Sequence, residues 1–243
     1  IEADDDKQAL KTAMLWADHD KTSVRAQLIA SLLVMQYGQI NQAHDYLKQL
    51  VSIAKPESFN NLELILNHPF DEQKSVELGK LLEQINNELK SNANIAMALA
   101  LFYDKSKDPK DNKKSLAYIN QAVKINPEWT QAQIQKTKLL SIHQSAEQAM
   151  NYLDELVIKY PMQHELRKLY ADILYDMEKY QKAAKNYIVL TQYDDYQDHA
   201  LLQLAYLNIT NNDLKAAEKY LLKLSYSQEY KELSQYYLGL VSQ

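Results

Sequence analysis

Ser145-Ala-Glu-Gln-Ala149-Met-Asn-Tyr-Leu153, Tyr180-Gln-Lys-Ala-Ala184-Lys-Asn-Tyr187 and Leu214-Lys-Ala-Ala217-Glu-Lys-Tyr220-Leu221 are three versions of one phrase. Ala149, Ala183 and Ala217 recur at intervals of 34 residues. Leu153, Tyr187 and Leu221 follow them by four residues, one helical turn along the same face. Upstream, Ala171, Ala205 and Gly239 keep the 34-residue interval, as do Pro127 and Pro161. A small residue at such a slot lets a paired helix cross closely. A proline without an N–H closes one unit before the next begins. The pattern predicts an all-α chain of antiparallel helix pairs wound as a right-handed superhelical α-solenoid, the architecture of tetratricopeptide-type repeats of this length.

Carried backwards, the register places Ala43 in the alanine slot, with Gly38 in the preceding turn, and Ala9 a further 34 residues earlier. Between Ala43 and Ala149 it carries a surplus of four residues, assigned to the loop 104–112. The whole chain, 1–243, reads as one solenoid segment. A half repeat over 1–23 precedes units starting near Val24, Ser58, Asn92, Thr130, His164 and Asp198, and a half repeat over 232–243 follows. The second unit is degenerate, with Asn67-His-Pro-Phe70 where its inter-helix turn belongs. The final helix, bearing Leu233, Tyr236, Tyr237, Leu238, Leu240 and Val241, is apolar over most of its circumference. Terminal helices of repeat arrays normally present a polar outer face. This predicts either a segment of a longer array or self-association through the end helices.

Composition agrees with helices. Hydrophobic residues make up 46% and charged residues 24%, with only 3 Gly and 5 Pro to supply tight turns. The formal net charge of −5 and the lack of long basic blocks beyond Lys105 to Lys114 argue against nucleic-acid binding through phosphate neutralisation. No apolar run approaches the ~20 residues of a membrane span. With 0 Cys, disulfides and thiolate metal sites are excluded, while the compartment stays open.

Catalytic chemistry finds no support. The 6 His are scattered without metal-ligand spacing, and three isolated glycines cannot form a phosphate-binding loop. Asp194-Asp195 and Asp154-Glu155 read as solvated surface. No cofactor is predicted, no metal, and no enzyme activity. Recognition of proteins or extended peptides remains. The first helix of each pair lines the concave side, which predicts Arg25, Leu32 and Met35 early in the chain as groove residues. Later come Lys168, Asp172 and Tyr175, then His199, Gln203, Tyr206 and Ile209, then Tyr236 and Leu240. The chain holds 18 Tyr against 3 Phe, and tyrosine suits recognition because a rigid ring carries a hydrogen-bonding hydroxyl. Tyrosine also fills helix-packing slots, as at Tyr187. Lys168 stands nearly alone among cations, so a clamp for a terminal carboxylate is disfavoured.

Several phrases resemble a known family: Leu15-Trp-Ala-Asp with Ala26-Gln-Leu, Asn126-Pro-Glu-Trp129, Leu166-Arg-Lys-Leu-Tyr-Ala171 and Tyr236-Tyr-Leu-Gly239. Together they are similar to proteobacterial tetratricopeptide lipoproteins that act as adaptors of a periplasmic carboxyl-terminal processing protease. The resemblance implies a superhelical array tethered to the outer membrane that binds the protease and delivers substrates such as cell-wall hydrolases. That family's signal peptide and lipid-bearing cysteine are not in this sequence, which fits a segment of a longer protein. The competing expectation is a cytoplasmic regulator or assembly chaperone that reads a peptide segment.

Overall fold

The computed structural model describes residues 2–55, 59–106 and 108–242. Among them are fourteen helices and no strand. In order they are α1 (Glu2–His19), α2 (Val24–Gln36), α3 (Ile40–Ile53), α4 (Asn60–Leu66), α5 (Glu72–Leu89), α6 (Ala93–Asp104) and α7 (Pro109–Ile125). Then follow α8 (Thr130–His143), α9 (Ala146–Lys159), α10 (His164–Asp176), α11 (Tyr180–Leu190), α12 (Asp194–Thr210), α13 (Leu214–Leu224) and α14 (Lys231–Val241). No described helix is long and apolar enough to cross a membrane. The chain forms two compact units, Ile1–Leu139 and Leu140–Gln243.

Helix starts follow from capping chemistry. Ser23, Asp71, Asn92, Asp108, Ser145 and Asp213 each accept a backbone N–H of the first turn, filling donors that have no partner inside the helix. Two sequence expectations shift here. Most of the segment 104–112 is helical: Asp104 ends α6, Asp108 caps α7 and Pro109 occupies its first turn, where a missing N–H costs nothing. The extra residues therefore lengthen α7. The helix read as starting near Asp198 begins at Asp194, with Asp194 and Asp195 placing negative charge at its positive end. The expected start at Ser58 lies outside the described residues.

Three of the turns inside the helix pairs share one geometry. Gly38, Glu178 and Asn212 have φ of 70°, 58° and 59°. In each turn the next residue's N–H reaches back to a carbonyl five positions earlier, Gln39 to Val34, Lys179 to Leu174 and Asp213 to Asn208, all at 2.8 Å. Gly38, Glu178 and Asn212 themselves donate to Met35, Tyr175 and Ile209 at 3.1, 2.9 and 2.9 Å. This double bond is the Schellman closure, which satisfies the last carbonyls of the first helix and reverses the chain in three residues. Only Gly38 meets the left-handed conformation without a side-chain penalty.

Packing centres on the alanine slots. Ala43, Ala149, Ala183 and Ala217 are each at most 1% exposed, as are Ala171 and Ala205 on the preceding helices. Gly239 departs from this set. It is exposed, and a side chain there would meet nothing within 4 Å. In the first unit α6 is covered on nearly every side, with Asn94 through Ala100 all buried. The Asn92 and Asn94 amides donate to the Val51 and Ala54 carbonyls at 3.0 and 2.7 Å, so the end of α3 is closed by side chains of α6. Phe59 meets Trp129 edge to face, with ring centroids 5.3 Å apart.

Glu178 holds a conformation that costs an L-residue about 1–2 kcal/mol. Glu178→Gly is expected to raise the unfolding free energy of the second unit by about 0.5–1 kcal/mol, with a smaller gain for Asn212→Gly because asparagine tolerates this region. Urea unfolding followed by circular dichroism measures both, and a loss of stability in Glu178→Gly would contradict the turn assignment.

Candidate functional site

In the second unit, one carboxylate ties three successive helices. Asp172 sits one turn after Lys168 on α10, and the Lys168 ammonium donates to its Oδ2 at 2.8 Å. From α11 the Tyr187 hydroxyl donates to Oδ1 at 2.8 Å, and from α12 the His199 Nε2 donates to the same oxygen at 2.8 Å. The Tyr187 ring also stands edge-on to His199, centroids 6.0 Å apart. Burial alone raises the Asp172 pKa. The hydrogen bonds from His199, Lys168 and Tyr187 outweigh it and hold the carboxyl down at about 2. The same arrangement pushes the Tyr187 phenol upward, first through burial and then through its bond to Asp172.

Beyond this hub lies a tyrosine cluster. Tyr206 on α12 meets Tyr237 on α14 edge to face at 5.1 Å, and Tyr237 meets Tyr236 at 5.3 Å. The Tyr206 phenol is raised to about 12 by burial and by its hydrogen bond with Tyr237. Tyr206 and Tyr230 pack on buried Leu201, Leu202 and Leu224, so their rings serve the core as well as the surface. Tyr175 is turned back against Tyr180, centroids 5.6 Å apart. Tyr236 is 62% exposed and Gln203 is half-buried.

The residues read from the sequence thus divide. Lys168, Asp172 and His199 converge on one bonded cluster, and Tyr206 and Tyr236 meet through Tyr237. Met35, expected to face the groove, is fully buried, because α2 is covered by α4 and α5 as well as by α3. Arg25 is exposed, and Leu32 packs on the core of the first unit.

The first unit holds a feature the sequence reading missed. A cleft of about 550 Å³ opens between the 67–71 turn, α5, the end of α6 and the start of α7. Its apolar lining includes Leu66, Phe70, Val76, Leu78 and Phe102. Phe102 leans over Gly79, where a Cβ would stand 2.6 Å from the ring. At the rim, Tyr103 donates to Glu83, and the Lys114 ammonium lies 3.6 Å from Glu83 and 4.3 Å from the Tyr103 ring centroid. Lys105 donates to the Leu66 carbonyl at 2.7 Å, closing the end of α4, and desolvation lowers its pKa. Among the described residues no group of three or more His, Asp and Glu is placed to hold a metal ion.

No protein-family model and no curated protein matches the chain. Among solved structures it is similar to PilF of Pseudomonas aeruginosa, at 19% identity over 87% of this chain and 96% of that one, with a TM-score of 0.49. It is similar to a tetratricopeptide repeat protein from Parabacteroides merdae, at 13% identity over 96% and 90% of the two chains, TM-score 0.45. Yeast Tom70 is matched at 13% identity over 98% of this chain and 59% of that one, TM-score 0.43. The chain's own 34-residue beat, its covered alanine slots and its Schellman turns are those of a tetratricopeptide-type α-solenoid built from helix pairs.

The lowered Asp172 pKa has a definite pH signature. Its stabilisation is complete above the unfolded carboxyl value near 4 and disappears as pH falls through about 2. Acid titration of urea stability is expected to show about 1–2 kcal/mol lost across that window. Asp172→Asn should remove that acid-dependent step. An unchanged acid profile in the variant would show that the hub contributes no net stability.

Proposed function

We propose that this chain is a protein-binding scaffold whose recognition surface is the polar and aromatic side of α10, α12 and α14. Lys168, Asp172, Tyr175, His199, Gln203, Tyr206 and Tyr236 belong to that surface. The observation that carries the reading is the contrast between a braced base and an exposed aromatic tip. The Asp172 hub fixes three helices, while Tyr236 presents most of its ring to solvent beside rings already held by packing. A pre-ordered aromatic surface loses little side-chain entropy when a partner lands on it. Asp172 is already bonded from three sides, which suits a structural role better than proton transfer.

Within this reading the partner is a periplasmic carboxyl-terminal processing protease, and the chain is an adaptor that brings protein substrates to it. This finer assignment rests on the family resemblance, as does the periplasmic, outer-membrane-tethered location. A second reading, an assembly chaperone or regulator that grips a peptide segment, is favoured by the cleft in the first unit. Its apolar lining and charged rim suit one anchoring side chain of an extended peptide.

Biolayer interferometry with a purified protease of that class tests the adaptor reading. The Tyr236→Ala/Gln203→Ala variant is expected to weaken binding at least tenfold with unchanged circular dichroism, since hot-spot aromatics carry most interface energy. Val76→Lys, placed at the cleft, should leave that binding intact. Loss of binding in Val76→Lys alone would move recognition to the cleft and favour the peptide-gripping reading. No protease binding by the unaltered chain would remove the adaptor assignment.

A further inference from the structure

We infer that the outer side of α11 and α13 is a docking surface for an anionic lipid bilayer. These two helices repeat an exposed lysine and an exposed aliphatic side chain at one register, and the lysines have no carboxylate to answer them.

Lys185 and Ile188 on α11 recur 34 residues later as Lys219 and Leu222 on α13. Within each pair the two residues are three apart, so they share a helix face. That face points away from buried Ala183, Tyr187 and Leu190 on α11, and from buried Ala217, Leu221 and Leu224 on α13. Ile188 and Leu222 are 48% and 51% exposed. Lys182 on α11 and Lys215 and Lys223 on α13 widen the same face, and all five lysines are exposed. Tyr226, one turn beyond Leu222, is 90% exposed.

Charge is sorted between the two helices of each pair. The helices α10 and α12 carry Glu165, Asp172, Asp176, Asp194, Asp195 and Asp198 against Arg167 and Lys168. By contrast, α11 has no carboxylate and α13 has only Glu218, at the edge of the lysine face. None of the five lysines forms an ion pair with a described residue. On α9 the matching positions are Asn151 and Asp154, so the basic side ends at α11. A chain with a formal net charge of −5 therefore keeps one localised positive face.

Unpaired lysines call for an anionic partner, and the aliphatic residues among them select which one. A nucleic-acid backbone makes no use of Ile188 or Leu222. The boundary of an anionic bilayer takes both kinds of group: ammonium ions at the phosphates, and aliphatic side chains at the acyl boundary. Lysine stems can lie along such a surface while their charged ends stay at headgroup level, and the Tyr226 ring suits the same depth. A chain docked in this way leaves the side formed by α10 and α12 free for proteins. The inference is independent of which protein binds there.

Cosedimentation of the intact chain with vesicles of equal parts phosphatidylglycerol and phosphatidylcholine tests this. At about 0.1 M salt, binding to these vesicles is expected, and none to phosphatidylcholine alone. Lys185→Glu/Lys219→Glu should lower the partition coefficient at least about tenfold. Lys110→Glu/Lys113→Glu on α7 changes the net charge equally and should bind like the unaltered chain. Ile188→Ser/Leu222→Ser should weaken binding about tenfold, by removing the inserted apolar groups. All these positions are exposed, so circular dichroism should be unchanged in every variant. Failure of the unaltered chain to bind the anionic vesicles would overturn the proposal, as would equal losses in the two charge variants. Undiminished binding by Ile188→Ser/Leu222→Ser would overturn it too, giving the lysines to an acidic protein segment or another soluble polyanion.

Discussion

Everything in the second unit depends on how closely two helix backbones can approach at an alanine. Helix axes packed through ordinary side chains lie about 8–10 Å apart, the shorter distances needing small residues at the crossing. Ala171 with Ala183, and Ala205 with Ala217, supply those crossings in consecutive pairs and are all fully buried. This approach lets a single carboxylate on α10 accept from tyrosine on α11 and from histidine on α12 within 2.8 Å. A leucine in any of these slots would push the backbones apart and break the polar bracing along with the apolar packing. The alanines and Asp172 are therefore parts of one arrangement: the first sets the distance and the second uses it.

The bracing also decides what kind of surface results. A buried carboxylate with one partner would favour protonation, because desolvation disfavours its charge. Three donors reverse that balance and keep Asp172 ionised, with its charge largely spent inside the fold. The outward chemistry is then left to uncharged rings and amides, and it is held in place by a network rather than by loops. In the first unit the corresponding device is apolar. Phe102 resting over Gly79 gives the cleft its wall, and the ion pairs stay at the rim.

The helix pairs were legible because alanine, the residues four later and the pair-closing prolines all repeat at one spacing, and side-chain caps mark six of the helix starts. Legibility failed where position in a helix says nothing about neighbours from other helices. Met35 occupies a groove position by register, yet α4 and α5, from the degenerate repeat of the first unit, cover α2 and bury it. Asp172 was recognisable as a groove residue, but its threefold bonding was not, since Tyr187 and His199 reach it from helices 15 and 27 residues away. The cleft left only the faint signal of a glycine inside a helical pattern. Gly239 sits in a small-residue slot by spacing, yet it is exposed, because no later helix among the described residues packs on α14 at that point.

The three-residue turns carry a consequence for how the molecule comes together in time. Each Schellman closure brings a helix back onto its immediate predecessor, so the search needed to join them spans few residues. Loop-closure entropy for such short connections is small, and chains dominated by sequence-local contacts fold quickly. A newly made helix pair also provides the template for the next one, as stacked repeats propagate from any pair that forms first. Amide exchange in such an array follows pairs rather than the whole chain, with the slowest sites beneath the alanine crossings and the fastest at the helix least covered by its neighbours. α14, whose buried set is Ser234 alone, is that helix, so it opens ahead of the pairs it leans on.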